Sequence, residues 1–184
     1  MKEEIKSTPT IFMGSQLTGP EVNHKKKYLS ELKGIFKDEG AFNDMDKDTI
    51  VYEVDAWCPV PNGTEGGLFF GLTHLYPGTV GNEYFMTHGH FHEVENRAEY
   101  YWGIEGEGAL ILMDANRNTW IERMYPGSLH YIPGFTGHRV ANIGNTKLSF
   151  GACWPSDAGY KYDVVLDEGF SKRLFNIEGE PKLI

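Results

Sequence analysis

The sequence is short of several things. Only two cysteines, Cys58 and Cys153, stand in 184 residues. A secreted scaffold stapled by disulfides carries more of them at tighter spacing, so two buried, reduced thiols are expected. No apolar run approaches the ~18 residues needed to span a bilayer. Residues Met1–Gly14 hold no continuous apolar stretch of the kind found in a secretory signal. A cytoplasmic protein with no membrane partner is expected. Cations are also scarce: 17 Lys and Arg face 26 Asp and Glu, a net charge of −9. Neutralising a phosphate backbone takes clustered Lys and Arg, so nucleic acid is excluded as a general partner. There is no internal repeat and no low-complexity tract. At roughly 150 residues per domain, one domain is expected, long enough to bury a core without staples.

What is present points to strands and turns. Aromatics make up 14% of the chain, with 22 glycines, 9 prolines and little leucine. From residue 49 onward the segments TIVYEVDAW, GLFFGLTHLY, NEYFMTH, AEYYWGIE, GALILM, TWIERM, SLHYIP, HRVANI, KLSFGACW and YDVVL follow one another. Each is short, rich in β-branched or aromatic residues, and bounded by Gly, Pro, Asn or Asp. That texture predicts an all-β sandwich or barrel. Asp114–Asn118 and Gly144–Asn145 read as hairpin turns. Residues 1–22 read as an arm. From His24 to Phe36, Tyr28, Leu29, Leu32, Ile35 and Phe36 recur at helical spacing behind a possible N-cap at Asn23, which predicts one short helix. The expected division is an arm and helix over 1–48, packed on a barrel over 49–184.

Seven histidines are present, three of them in His88-Gly89-His90-Phe91-His92. Alternate residues of a strand share a face, so these three could point one way. Two unpaired imidazoles inside an apolar barrel would be costly, whereas imidazoles and a carboxylate converging from separate strands suit a divalent transition metal. His90, His92, Glu99 and His138 are the expected ligands. The role of His88 stays open, with a place beside an anionic substrate favoured over one on the metal. His24 reads as solvated on its helix, and His74 and His130 as ordinary strand residues.

These residues carry a resemblance. His90-x-His92, Glu99 and Gly106 are similar to the first cupin motif, and Gly127, Pro133, His138 and Asn142 to the second. The gap from His92 to Glu99 is longer than the usual cupin spacing, and Phe135 stands where that pattern prefers Gly. THGHFHEVENRAEYYWGIEGEG resembles the signature of the cupin-type phosphoglucose isomerases, and LTHLYPGTVGNEYF, VYEVDAW, HRVANIG, WPSDAGYKY and EGFSK resemble further segments of that family. The resemblance spans about residues 28–175. It implies a cupin jelly-roll barrel, usually a homodimer, with a metal at the positions of His90, His92, Glu99 and His138. It also implies a substrate phosphate near Thr73, Thr87 and Gly89, and a sugar site lined by Tyr52, Tyr101 and Tyr162. His88 stands where the family often has Lys, and Tyr160 where it often has His.

The implied reaction moves hydrogen between adjacent carbons of a sugar phosphate. A metal can polarise the oxygens at those carbons, and Fe, Mn, Ni and Zn all suit the ligand set. A proton-transfer route needs a base near neutral pKa. Glu99 is the candidate, although ligation would make it less basic, and Tyr101 on the same face could relay a proton. A hydride shift would need no base. With so negative a chain, attraction of the phosphate must be local, from the metal and from His88 or Lys161. Two other readings compete: another metal cupin such as an iron dioxygenase, and a non-catalytic sugar-binding cupin.

Overall fold

The computed structural model describes residues 5–184. Its elements are β1 (Ile11–Met13), β2 (Gln16–Thr18), β3 (Val22–Tyr28), a 3-10 turn (Leu29–Leu32), α1 (Glu39–Asp44), β4 (Ile50–Trp57), β5 (Leu68–Leu75), β6 (Thr79–Val80), β7 (Glu83–Tyr84), β8 (Glu99–Glu105), β9 (Gly108–Met113), β10 (Thr119–Met124), β11 (Leu129–Ile132), β12 (Gly137–Asn142), β13 (Leu148–Pro155), α2 (Asp163–Asp167), β14 (Leu174–Ile177) and β15 (Glu180–Leu183). The expected all-β jelly-roll barrel is what the chain adopts. Among the described residues no helix is long and apolar enough to cross a membrane.

Two sheets face each other across the core. One has the order β11-β8-β13-β5-β4-β3, the other β10-β9-β12. The free edge of β12 is continued by the preceding chain through Met86↔Ala141 and His90↔His138 bridges. All six residues of both β9 and β12 are buried. The run GALILM therefore lacks polar alternation because both its faces are covered. Val165, Phe170 and Leu174, from α2 and the chain beyond it, belong to the same core. In the large sheet the register pairs Val54 with Thr73, Thr73 with Phe150, and Ala152 with Tyr101. Those side chains share the concave face. On the opposite face the β1–β2 hairpin lays Phe12 against Phe70, with ring centroids 5.3 Å apart.

Several expectations are corrected. The helix expected over 24–36 is β3 followed by the 3-10 turn. Leu29, Leu32, Ile35 and Phe36 are indeed buried, and their spacing reflects the tight turn. Upstream of them, pairing with the open edge of β4 outweighs local propensity. The run Lys25, Lys26, Lys27 is then the charge that guards an exposed sheet edge against further pairing. The sheet thus takes its edge strand from upstream of residue 49. YDVVL forms helix α2 and not a strand; only Val165 of this helix is buried, and the segment packs on the barrel instead of joining a ladder. Asp114–Asn118 is a hairpin turn as expected, with the Asp114 carboxylate accepting the N–H groups of Asn116 and Asn118 at 2.9 Å. Gly144–Asn145 is a crossover between sheets, because β12 pairs with β9 while β13 pairs with β5 and β8. Both cysteines are free thiols, but neither is buried: Cys58 is exposed and Cys153 half-buried.

Candidate metal centre and substrate cavity

His138 is carried by β12, Glu99 opens β8, and His90 and His92 come from the irregular segment bridged to β12. The backbones of His90 and His138 exchange two hydrogen bonds, at 3.2 and 3.0 Å. One donor atom from each of His90, His92, Glu99 and His138 lies within 4.8 Å of all the others. The group is deep: His92 and Glu99 are each 5% exposed and His138 only 1%.

The imidazoles are pre-set for ligation. His92 Nδ1 lies 2.8 Å from the Arg97 carbonyl and His138 Nδ1 lies 3.2 Å from the Thr136 carbonyl. A carbonyl can only accept, so each Nδ1 carries a proton, and Nε2 is the nitrogen left to turn toward the centre of the group. Both Nε2 atoms face Glu99 Oε1, at 3.3 Å from His92 and 2.5 Å from His138. Yet Glu99 Oε1 and His138 Nε2 are buried without a properly oriented hydrogen-bond partner. Orphaned buried polar atoms are costly, and here they aim at one another around a shared point. Three imidazoles and a carboxylate fit a divalent transition metal in that position. Burial alone would raise the Glu99 carboxyl, but His138 and then His92 hold it well below the usual carboxylate range. Burial, reinforced by His138, pushes His90 well down, which keeps it neutral. An ionised Glu99 and a neutral His90 are the states a metal requires, whereas against its burial Glu99 raises His92, whose proton a metal would have to displace.

Sequence reasoning missed the support behind His92. Arg97 grips Asp157 at 3.0 and 2.6 Å, which fixes the carbonyl that orients the ring. The signal was present in the arginine of the RAE segment, but its partner lies 60 residues away.

The histidine–glutamate group opens onto a cavity of about 930 Å³. Tyr52, Thr73, Thr87, Gly89, Tyr101 and Tyr162 all line it, together with His90, Glu99 and His138. His92 stands behind, on a smaller cavity of about 250 Å³. His88 also lines the large cavity. It is not in the ligand group, and its ring meets Tyr162 edge-on at 4.8 Å. The left-handed Gly89 (φ +78°) breaks the strand alternation that would have aligned all three histidines.

The hydroxyls are primed as donors. Thr87 Oγ1 accepts the Val140 N–H at 3.1 Å, so its own hydrogen is free for the cavity. Tyr52 likewise accepts the His88 N–H at 3.4 Å. Among the described residues none accepts the Gly89 N–H. Burial pushes the Tyr52 and Tyr101 phenols well up, and lifts Tyr160, stacked on Tyr162, to about 12. These phenols remain protonated at neutral pH. Lys25, Lys27, Glu31 and Trp154 also line the cavity; the first three were hidden by reading residues 24–36 as one helix. Lys161, expected near the phosphate, instead pairs with Glu95 at 3.3 Å beside the smaller cavity.

Comparison with known proteins identifies the family of the chain. The family profile described as "Glucose-6-phosphate isomerase (GPI)" matches residues 26–180. Glucose-6-phosphate isomerase of Thermococcus kodakarensis is 44% identical over 158 residues, spanning 85% of this chain and 82% of that protein. The isomerase of Pyrococcus furiosus is 40% identical over 159 residues, with the same coverage of 85% and 82%. Among solved structures, oxalate decarboxylase from Bacillus subtilis aligns with a TM-score of 0.47 at 22% identity, over 59% of this chain and 26% of that one. Nearly the whole sheet framework and every cavity residue named above except Lys25 fall inside the matched span, and the chain belongs to the glucose-6-phosphate isomerase family.

Proposed function

We propose that the chain interconverts glucose 6-phosphate and fructose 6-phosphate in a metal-dependent reaction. One observation carries this reading beyond family membership: a single cavity joins an orphaned three-imidazole, one-carboxylate set to a ring of hydroxyl donors. His90, His92, Glu99 and His138 would hold one divalent transition metal per subunit (Fe, Mn, Ni or Zn), and bound there it would act as a Lewis acid toward the oxygens at C1 and C2.

The remaining roles fall to the chain itself. Glu99 is held low by two histidines, which makes it a strong ligand and a weak base. Tyr101, a phenol on the same face, is the proton donor to a substrate oxygen. Thr73, Thr87 and the Gly89 N–H grip the phosphate, while Tyr52 and Tyr162 frame the sugar. The test is a coupled assay for glucose 6-phosphate formed from fructose 6-phosphate, before and after chelation. We expect activity that chelation abolishes and added divalent metal restores. Full activity in a verified metal-free sample overturns the metal role, and no isomerisation by the metal-loaded protein overturns the reading itself.

We further propose a cytoplasmic homodimer. Leu68, Tyr100, Leu129 and Tyr131 stand 48–68% exposed on the convex face of the large sheet, and two-fold pairing would cover them. A monomer in sedimentation at micromolar concentration would count against it.

A further inference from the structure

The chain has five arginines. Four are ion-paired: Arg97 with Asp157, Arg117 with Glu168, Arg123 with Glu107, and Arg173 with Glu83. The fifth, Arg139, is the most deeply buried, at 5% exposure, and among the described residues it has no carboxylate partner. Its contacts are neutral. One terminal nitrogen lies 3.0 Å from the Met86 sulfur, the guanidinium sits 4.4 Å above the Phe170 ring, and Nε is buried without a partner. The nearby acid, Glu83, is already held by Arg173 at 2.9 Å and by the Lys37 N–H at 2.8 Å. A buried guanidinium without a counter-charge in contact is expensive, and Glu83 at a distance and the Phe170 ring face offset it only in part.

What lies next to it is the backbone of Gly89. A Cβ built on Gly89 would meet Arg139 Nε at 2.7 Å, Cβ at 3.0 Å and Nη2 at 3.3 Å. Any side chain there would displace the guanidinium. On its other side the same peptide lines the substrate cavity with an unclaimed N–H. The next residue of β12, Val140, supplies the N–H that turns the Thr87 hydroxyl toward that cavity.

We infer that Arg139 is a positioning residue for the substrate phosphate: a fixed positive charge that acts through the Gly89 peptide and is neutralised only when the dianion is bound. The inference rests on the isomerase reading above. It gives Gly89 a double task, a left-handed turn and a side-chain-free window between charge and ligand. It also locates an attraction that an acidic chain cannot supply at long range.

The test uses the metal-loaded protein and its Arg139→Met and Arg139→Lys variants. For Arg139→Met we expect the KM for fructose 6-phosphate to rise about tenfold, the weight of one nearby charge across a partly buried gap. The inhibition constant of inorganic phosphate should rise by a similar factor, with kcat and metal content little changed. Arg139→Lys keeps the charge and should recover most of both. Unchanged KM and phosphate inhibition in Arg139→Met overturns the inference. So does an equal defect in Arg139→Lys, which would make shape decisive, or a fall in kcat or metal content at constant KM, which would make Arg139 a brace for His138. Should Arg139→Met fail to fold, a crystal structure of the wild-type protein with inorganic phosphate decides: phosphate on the Gly89 N–H supports the inference, and phosphate on Lys25 or Lys27 alone overturns it. An inactive wild-type protein would instead sink the isomerase assignment, so the two failures are distinguishable.

Discussion

Two buried histidines look alike in the sequence and differ in their surroundings. His130 is 4% exposed and His138 is 1% exposed; each lies on a strand of the barrel wall. His130 is satisfied at both nitrogens, by Glu122 at 2.7 Å and Ser128 at 2.9 Å. His138 is satisfied at Nδ1 alone, and its Nε2 faces a carboxylate oxygen that is equally orphaned. The convex face of the large sheet repeats the lesson. There His24 meets Asp55 at 2.7 Å, His74 meets Ser149 at 2.8 Å, and Ser149 in turn reaches Glu105 at 3.2 Å. Histidines and carboxylates crowd both faces, but among those of the described residues the buried atoms left unclaimed, Glu99 Oε1 and His138 Nε2, belong to the concave set. Partner accounting, not residue type or burial, separates a candidate ligand from a structural histidine.

The widest gap should appear when the two histidines are deleted in turn. His138→Ala removes a ligand and should lower metal affinity and turnover by at least about a hundredfold, more than the loss of an outer-shell partner costs. His130→Ala should keep its metal and its rate while losing about 1–3 kcal/mol of stability, because Ser128 and Glu122 are left without their partner. Metal analysis of both purified variants, with denaturant unfolding, checks the pair. Metal loss in His130→Ala would break the comparison.

A smaller effect is expected one step from the metal, at Thr87. Its Oγ1 accepts from Val140 and its hydrogen points to the cavity. Thr87→Val removes that donor and should weaken use of fructose 6-phosphate roughly 10- to 100-fold, the range for a hydrogen bond to a charged group. Any residual turnover of free fructose should change little. Equal loss on both substrates would assign Thr87 to the fold and put the phosphate elsewhere.

The satisfied convex face should be visible as a pH dependence of stability. Burial lowers the His74 imidazole below its ordinary 6.5. The unfolded chain then takes up a proton at a higher pH than the folded one, so the contribution is fully present above about 6.5 and is lost as pH falls below it. One proton changes stability by at most about 1.4 kcal/mol per pH unit. Urea unfolding at pH 7.5 and 5.5 should show a smaller difference in His74→Gln than in the wild type. An identical difference would mean that His74 does not titrate in this window.

The legible parts of the molecule were those where burial dictates residue type. The strands β4, β5, β8 to β13 and the hairpin at Asp114 follow directly from residue type and turn chemistry, while the covering of GALILM on both faces emerges only in the fold. The convergence of His90, His92, Glu99 and His138 into a group that could hold a metal was legible because polar residues in an apolar barrel need a reason. Two segments misled. The lysine run of β3 reads as a helix until the open edge of β4 claims it, and YDVVL reads as a strand although no edge is offered to it. Both outcomes are set by what lies alongside in space. The same holds for Arg97, whose task depends on Asp157, and for Arg139, whose meaning lies in what it fails to touch.

The mildest expected effect concerns a residue that departs from the general cupin pattern. Phe135 occupies a position where that pattern prefers glycine, and its φ is +61°. A left-handed conformation costs a residue with a Cβ about 1–2 kcal/mol. The turn is held regardless, since the Phe135 N–H donates to the Glu95 carbonyl at 2.5 Å. The ring is 55% exposed, so removing it forfeits little apolar burial. Phe135→Gly should relieve the strain and lose about 0.5–1 kcal/mol to the greater freedom of glycine in the unfolded chain. A net gain of about 0.5 kcal/mol remains, or roughly 1–2 °C in Tm for a domain of this size. Calorimetry on the metal-loaded protein checks it. A lower Tm would show that the ring contributes more than its exposure suggests. Phe135 and His92 share the smaller cavity, so the natural explanation would be shielding of that ligand from solvent, and faster metal loss to a chelator in Phe135→Gly would confirm it.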